Sequence, residues 1–295
     1  MKFRSFFWTI TAGAIIIFLV SMVGLGWIAT RRSAVNLLKG GVNTFPSGAV
    51  FVPKQAPAMV SLLANPEKIN ALRQVTLPLK DRKGDRQQWQ QWEQDLTAKI
   101  GLDYQKDIKP WLGDEITLAI TALDLDRTSR NGAQPGYILA AETKNTKLAK
   151  ECLRDFYSQQ DKVDIEQYKG ANIISTNKNS SIWSGVVVGN FVLFANQPRI
   201  LKEAINQAQA INLSLEQSDY YQAVLNNILQ PHIGIGYVDV LSFSAWLDKS
   251  AVFVHSNNQE TLGMSLSINK SDLAAQTLLL EAENTLDNFA TNKSI

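Results

Sequence analysis

The feature that most constrains this chain is an uncharged run close to its N-terminus. Residues 6–29, FFWTITAGAIIIFLVSMVGLGWIA, contain no charged side chain. As an α-helix this run would extend about 36 Å, enough to cross a hydrocarbon core of roughly 30 Å. Trp8 and Trp27 lie near its ends, where indole rings favour the membrane interface. The run predicts a transmembrane signal-anchor in a lipid bilayer, preceded by a short tail over residues 1–5.

A cleaved signal peptide is the alternative interpretation of this run. It requires a shorter apolar core and small residues at the −3 and −1 positions, whereas cleavage after Ala29 would place Trp27 at −3. Positive charges are nearly balanced on the two sides of the run, so they do not decide its orientation. Single N-terminal anchors usually export a long, cysteine-poor domain. We therefore expect an extracytoplasmic C-terminal part, in a periplasm or a thylakoid lumen.

The residues after the anchor have the composition of a globular domain, with 45% hydrophobic and 19% charged residues in the whole chain. Beyond the five basic residues before position 40, the chain has 24 basic and 27 acidic residues, a net charge of about −3. This balance argues against nucleic-acid binding, which requires a basic surface. We expect a juxtamembrane linker over residues 30–48, one domain over 49–285 and a polar tail over 286–295.

A repeated unit, an apolar strand followed by a helix, predicts the fold class. Its copies are residues 59–64, 137–141 and 191–195, which end at or shortly before Asn65, Asn145 and Asn196. An asparagine there accepts hydrogen bonds from the first helical N–H groups. Residues 233–247 are a degenerate fourth copy, and residues 262–283 form a hairpin. Because strands outnumber helical crossovers, we expect an α+β domain with a mixed or mostly antiparallel sheet and helices on one face.

No pattern in the sequence indicates a catalytic, cofactor or metal site. His232 and His255 lack cysteines, histidines or paired carboxylates at ligand spacing, so both are expected to be structural or exposed. Cys152, the single cysteine, falls on the apolar stripe of a predicted helix and is expected to be a buried thiol. The glycines of Gly234-Ile-Gly236 lack the third glycine of a phosphate-binding loop.

The acidic pair Asp124 and Asp126 has a chemical alternative. Alternation along a strand would direct both carboxylates to one face, where two carboxylates can bind Ca²⁺ or share a proton. The polar residues 127–130 that follow favour a solvated strand end instead. An enzyme of unfamiliar, hydrolase-like type that uses this region is the alternative function.

Trp89 and Trp92 mark a candidate interaction face. They lie three residues apart in the glutamine-rich segment 87–94, and residues at this spacing share one face of a helix. The first interpretation is that this face packs on the sheet. The alternative is that it binds a membrane-protein partner or touches the membrane, because glutamines cover the other sides of the helix.

Six segments of the chain resemble a known family. They are residues 51–66, 101–104, 107–115 and 168–170, together with the strand at 189–192 and the helix at Pro198. They are similar to an uncharacterised, mainly cyanobacterial family of N-terminally anchored proteins, a domain of unknown function (DUF3352-like). The resemblance implies an anchor before a soluble region that is often nearly twice as long, so this chain is expected to be either a short member or the product of a truncated gene. If the remainder completes a sheet, the ending after Glu283 leaves an exposed edge or requires a partner strand.

The most family-specific piece is Pro110-Trp111-Leu112-Gly113. We expect Pro110 to break the preceding segment, Gly113 to allow a sharp turn, and Trp111 to cap the core. The family has no known activity, so no functional residue is implied. The sequence thus predicts a membrane-anchored, extracytoplasmic protein that acts as a non-enzymatic interaction or assembly partner. The alternatives are the hydrolase-like enzyme and a module that binds a small ligand or lipid; no cofactor is expected.

Overall fold

A computed structural model describes most of the chain after residue 43. The described residues are 44–70, 80–100, 102–126, 128, 133–160, 162–176, 183–228, 231–247, 260–269 and 272–281. The predicted anchor (6–29), the tails (1–5 and 286–295), most of the predicted linker and His255 lie outside them. No helix among the described residues combines the length and the apolar character that a membrane span requires.

One sheet of ten strands organises the described residues, and every pair of neighbouring strands is antiparallel. The strands are β1 (Ala58–Leu62), β2 (Leu112–Ala122), β3 (Gly136–Thr143), β4 (Val163–Tyr168), β5 (Ala171–Thr176), β6 (Ser184–Val188), β7 (Phe191–Ala195), β8 (Gly234–Asp239), β9 (Thr261–Asn269) and β10 (Asp272–Leu280). Their order across the sheet is β10-β9-β8-β1-β2-β3-β7-β6-β5-β4. The prediction of an α+β fold with a mostly antiparallel sheet is confirmed.

Five α-helices have both ends among the described residues. They are α1 (Arg82–Ile100), α2 (Thr146–Ser158), α3 (Pro198–Gln209), α4 (Asp219–Asn227) and α5 (Val240–Leu247). Shorter turns are the 3₁₀ turns Ser47–Phe51, Ile211–Leu213 and Leu215–Gln217 and the π-helical turn Tyr104–Ile108, and residues 66–70 are helical after β1.

Helices cover both faces of the sheet, so the expectation of helices on one face was wrong. On the first face, α3, α4 and the 3₁₀ turn Ser47–Phe51 pack with Ala140 and Leu193. On the second face, α2 and Trp111 pack with Ala141 and Val192, the neighbours of those residues in sequence. The apolar runs of β3 and β7 are continuous rather than alternating, which is the pattern of strands buried on both sides.

Each predicted strand–helix unit is present, but the third begins its helix differently. Asn65 Oδ1 accepts a hydrogen bond from Lys68 N at 2.9 Å, and Asn145 Oδ1 accepts one from Leu148 N at 3.1 Å, as expected of helix N-caps. Asn196 does not cap α3. Because Pro198 is the first residue of α3, the cap position falls on residue 197, and Asn196 Oδ1 instead accepts from Tyr137 N on β3 at 2.8 Å.

The fourth, degenerate unit and the closing hairpin are also present. Asp239 takes the place of asparagine at the end of β8, where its Oδ1 accepts from Ser242 N at 2.9 Å as α5 begins. β9 and β10 pair over nine consecutive positions, from Asn269 opposite Asp272 to Thr261 opposite Leu280. The unbroken register makes this hairpin the longest regular ladder at an edge of the sheet.

Candidate functional site

The two tryptophans of the predicted interaction face both lie on α1. Trp89 is half-buried, and its indole N–H donates to Glu93 Oε1 at 2.8 Å, one helical turn further along. Trp92 is on the same helix, and its side chain is outside the described part of the chain. That the pair forms a partner-binding face therefore stays a prediction.

The family-specific piece is a turn followed by a strand. Residues 109–111 form the turn, and Trp111 is buried, with its indole N–H donating to Asp107 O at 2.6 Å. Gly113 does not turn the chain, so that expectation was wrong. It lies inside β2, at a bulge between Leu112 and Ile116. A Cβ at Gly113 would lie 2.9 Å from Cγ of Glu142, so this close approach explains the glycine.

Glu142 on β3 stabilises the bulge. Its Oε2 accepts hydrogen bonds from Asp114 N at 3.0 Å and from Glu115 N at 3.2 Å. A bulge leaves such N–H groups without their ladder partners, and the carboxylate replaces those partners. Three acidic side chains therefore meet where β2 begins: Asp114, Glu115 and Glu142. We call this group the carboxylate junction.

Glu115 joins the N-terminal segment to the middle of the sheet. Its Oε2 accepts from Ser47 N at 2.9 Å, and its Oε1 accepts from Gly48 N at 2.6 Å and from the Thr117 hydroxyl at 2.9 Å. The side chain is buried. Burial is the largest influence on its pKa and raises it above the usual value; the three donors oppose the shift, and the Glu142 carboxylate adds to it.

His232 holds the same segment from another direction. Its ring is buried and stacks on Phe45, with the ring centroids 6.0 Å apart. Its Nε2 lies 3.1 Å from the carbonyl oxygen of Thr44. Of the two options predicted for His232, structural or exposed, its buried position fits the structural one. Residues 44–48, the described end of the predicted linker, are thus fixed to the sheet rather than projecting from it.

The carboxylates of the junction are all bound by donors of the chain itself. Asp114 Oδ1 accepts from Asn65 Nδ2 at 2.8 Å, and its Oδ2 lies 2.6 Å from Lys68 Nζ. Among the described residues, no group of three histidine, cysteine, aspartate or glutamate side chains is placed to hold a metal ion. The arrangement is suited to fastening a segment rather than to binding a substrate.

Asp124 and Asp126 lie beyond the end of β2 and hold a loop. Asp124 Oδ1 accepts from Gln134 N at 3.1 Å, and Asp126 Oδ1 accepts from Thr128 N at 3.0 Å. Each carboxylate therefore bonds its own part of the loop, which fits the solvated strand end.

Cys152 and the Gly234-Ile-Gly236 segment also have structural positions. Cys152 is half-buried on α2, and burial raises the pKa of its thiol. Gly234 and Gly236 are buried inside β8, where Met264 packs against Gly236. A less acidic thiol is a weaker nucleophile at neutral pH, and glycines within a strand do not form a phosphate-binding loop.

Among the strand side chains that the structure describes, the most exposed apolar ones occur at the two edges of the sheet. On β4, five of the six residues are exposed, and Ile165 is 61% exposed. On β10, Leu279 is 55% exposed. No described strand pairs with the outer side of either one. We call them the β4 edge (Val163–Tyr168) and the β10 edge (Asp272–Leu280).

The β4 edge is acidic on one side and apolar on the other. Asp164, Glu166 and Tyr168 point to the first face, where Glu166 Oε1 lies 2.6 Å from Lys202 Nζ of α3 and the Tyr168 hydroxyl donates to Asn206 Oδ1 at 3.0 Å. Val163 and Ile165 point to the second face. A two-residue turn, Lys169-Gly170, with positive φ at both positions, joins β4 to β5. Sequence reasoning missed this strand, although the alternation and the turn are both visible in it.

Comparison with known proteins agrees with the resemblance seen in the sequence. The profile of a family described as "Protein of unknown function (DUF3352)" matches residues 10–294. The chain belongs to the DUF3352 family. No curated protein matches it.

A comparison with solved structures finds crystal forms of one protein, TP0453, at low similarity. Crystal form III of TP0453 has a TM-score of 0.38 at 9% identity, with 80% of each chain covered. Crystal form I has a TM-score of 0.37 at 9% identity, covering 85% of this chain and 86% of that one. At these scores the similarity supports no statement about function.

Proposed function

We propose that this chain is a membrane-tethered assembly protein that presents the β4 edge of its sheet to a protein partner outside the cytoplasm. The observation that carries the proposal is the exposure of β4, where an edge strand keeps an apolar side chain, Ile165, 61% exposed. Unpaired strand edges bind extended segments of other chains by adding a strand to the sheet. The uncharged run of residues 6–29 supplies the tether.

The contacts that Glu115 and His232 make with the N-terminal segment support a defined position for the domain. Because Ser47, Gly48 and Phe45 are bound to the sheet, free linker between the tether and the domain is limited to the residues before Thr44. A short linker confines the domain to the neighbourhood of the bilayer, which raises the effective concentration of any partner in the same membrane.

The chemistry of the β4 edge defines the partner. On the first face, Asp164 and Glu166 favour basic side chains in an added strand, and on the second face Val163 and Ile165 favour apolar ones. The partner is therefore an extended segment in which basic and apolar residues alternate. Lys202 already neutralises part of the Glu166 charge, so Asp164 contributes more to this preference.

The alternative functions have less support among the described residues. An enzyme requires convergent polar groups in one cleft, whereas the carboxylate junction is occupied by donors of the chain, and Asp124 and Asp126 bond their loop. A ligand binder requires an enclosed apolar cavity. The depression along α2, about 480 Å³, is open and is lined by polar and charged side chains, including Lys147, Lys150 and Arg154.

The test is site-specific photo-crosslinking in cells with the full-length chain. A photoreactive residue at Ile165 is expected to give one discrete adduct with a membrane-associated protein. The same residue at Lys150, an exposed position on α2, is the control and is expected to give none. Carbonate extraction and protease accessibility of the same cells test the tether and its orientation.

Blocking the edge sharpens this test. The two residues that flank a two-residue hairpin turn hydrogen-bond each other across it. Because backbone N–H groups along a strand point alternately to its two sides, those of Val163, Ile165 and Gln167 point away from β5. Gln167→Pro removes one of these outward donors without removing a bond to β5. We expect it to abolish the adduct, whereas Gln167→Thr keeps the donor and the adduct. An adduct that survives the proline, or that also forms from Lys150, contradicts strand addition at β4.

A further inference from the structure

The β10 edge differs from the β4 edge in being longer, regular and uncharged after its first residue, Asp272. It pairs with β9 at nine successive positions without a bulge. From Leu273 to Leu280 it contains no charged residue. Proteins that remain monomeric usually shorten, bend or charge such an edge, because its unpaired N–H and C=O groups are a template for another strand.

The hairpin register shows which backbone groups face outward. Asn269 and Asp272 are opposite each other across a two-residue connection, so they exchange both hydrogen bonds of a closing pair. Alternation then directs the N–H and C=O groups of Leu273, Ala275, Thr277 and Leu279 away from β9. These four odd-numbered residues thus offer all the backbone donors and acceptors that one further antiparallel strand needs.

We propose that the β10 edge binds β10 of a second copy of this chain, antiparallel, about a two-fold axis at Gln276. In this register Ala275 is opposite Thr277 of the second copy, and Leu273 is opposite Leu279. Every outward group finds a partner, giving about eight interchain hydrogen bonds. The two ten-stranded sheets become one continuous sheet, and the interface is isologous, the commonest kind in homodimers.

The distribution of charge favours a second copy at β10 and disfavours one at β4. The register centred on Gln276 places no like charges opposite each other. At the β4 edge, registers centred on Asp164, Ile165 or Glu166 place one acid opposite another, which is unfavourable. The two edges are therefore adapted to different partners, β10 to an identical strand and β4 to a basic one.

Packing on the two faces of β10 supports the same register. On the first face Leu280 packs against the core, and Gln276 Nε2 donates to Asn227 O of α4 at 3.3 Å, so α4 already covers this side. On the second face Ala275, Thr277 and Leu279 are exposed. Pairing covers part of this exposed surface by placing the second copy's strand beside Leu279.

A symmetry argument rests on the membrane tether proposed above. A two-fold axis perpendicular to the sheet keeps each face continuous across the dimer. The 3₁₀ turn Ser47–Phe51 packs on the first face, so both N-terminal segments enter the joined sheet from the same side. Two chains anchored in one bilayer require this arrangement.

Disulfide crosslinking of the full-length protein in mild detergent tests the register. In a Cys152→Ser background, Gln276→Cys places the two thiols at the axis, within reach of a disulfide. Leu278→Cys is the matched control, half-buried on the same face, because its two copies would be about 14 Å apart along and across the strands. We expect at least about fivefold more covalent dimer from position 276, since a disulfide requires Cα atoms within about 7 Å.

The mass of the same full-length protein, measured by light scattering, provides a second test. The unsubstituted protein is expected to be a dimer. Thr277→Pro removes an outward N–H from each copy and should raise the dissociation constant at least about tenfold, whereas Thr277→Val keeps the donor and the dimer. Leu279→Lys places a charge on the exposed face of the edge without altering the fold and should have the same effect as the proline.

Each other outcome overturns the proposal. A monomer at micromolar concentration shows that β10 does not pair. A dimer that survives both Thr277→Pro and Leu279→Lys lies elsewhere, for instance in the membrane segment. Crosslinking at position 276 that appears only after deletion of residues 282–295 shows that the chain's own tail occupies the edge. These readouts do not involve the β4 edge, so they are independent of the photo-crosslinking at Ile165.

Discussion

The middle of the sheet and its β4 edge use acidic residues in different ways. On β2, near the middle, Glu115 is buried and accepts hydrogen bonds from Ser47, Gly48 and Thr117. On β4, at one edge, Asp164 and Glu166 are exposed. On β2 the acid stabilises the fold, whereas on β4 the acids select the partner that we propose above.

The difference follows from the cost of burying a charge. A carboxylate is tolerated in the interior only when several donors compensate for its desolvation, so its removal leaves those donors unsatisfied. An exposed acid has little effect on folding but acts on any strand that approaches the edge. Substitutions in the middle should therefore change stability, and substitutions at the edges should change association.

The largest effect on stability is expected from Glu115→Ala. It leaves the N–H groups of Ser47 and Gly48 without their acceptor, and should lower the free energy of unfolding by about 2–3 kcal/mol. The measurement is urea unfolding of the full-length protein followed by tryptophan fluorescence. Asp126→Ala, which removes an exposed loop acid, is the control, with an expected change below about 0.5 kcal/mol. Equal losses in the two variants would contradict the distinction between buried and exposed acids.

Gly48→Ala should have a smaller effect at the same place. An added Cβ would lie 2.8 Å from both Glu115 Oε1 and Thr117 Oγ1, so the 3₁₀ turn must move away from β2. Overpacking of this kind costs about 1–3 kcal/mol. Because both substitutions disrupt one contact, the double variant with Glu115→Ala should lose less than the two single losses together. Strict additivity in urea unfolding would show that the segment is not held by Glu115.

The pH dependence of stability should show the raised pKa of Glu115. Its pKa is higher in the folded than in the unfolded chain, so between those two values the folded state binds more protons, and stability falls as pH rises through that interval. Below the unfolded pKa the carboxyl is protonated in both states, so its contribution to stability is fully present and no longer changes with pH. Urea unfolding from pH 4 to pH 8 should show this decline in the unsubstituted protein and a weaker one in Glu115→Gln. A steeper decline in the glutamine variant would show that folding lowers the pKa of Glu115 instead of raising it.

The smallest effect on stability is expected at the β4 edge. Ile165→Lys replaces a side chain that is already 61% exposed, so the free energy of unfolding should change by less than about 0.5 kcal/mol. The photo-crosslinked adduct, measured from a probe at Val163, should nevertheless disappear, because a lysine disfavours the apolar face of the added strand. A loss above 2 kcal/mol would show that Ile165 belongs to the core.

Local signals in the sequence predicted several, but not all, elements of the fold. The asparagines before two helices, the continuous apolar runs of β3 and β7, and the β9–β10 hairpin each depend on neighbouring residues, so their pattern is visible in the chain. The cap at Asn196 was predicted wrongly because Pro198 moves the start of α3 by one residue. Helices on both faces were missed, although the continuous apolar runs indicate burial on both sides.

The long-range contacts could not be predicted in the same way. Glu115 bonds residues 67 and 68 positions away in sequence, and Gly113 is required by a side chain of the adjacent strand. Nothing near Asp114-Glu115 distinguishes a buried acid from a solvated one. The β4 strand was overlooked because its acidic residues resemble a loop, whereas at a sheet edge charged side chains are common.

The attachment at β2 has a mechanical consequence. β2 is the fifth of the ten strands counted from β10, so a pull on the chain before Thr44 enters the sheet near its middle. The load is shared by the hydrogen bonds at Glu115 and by the contacts of His232 before it reaches the end of any strand. Neither edge strand lies on this load path, so tension in the N-terminal segment does not peel β4 or β10 from the sheet, and both edges keep their shape while the chain is held.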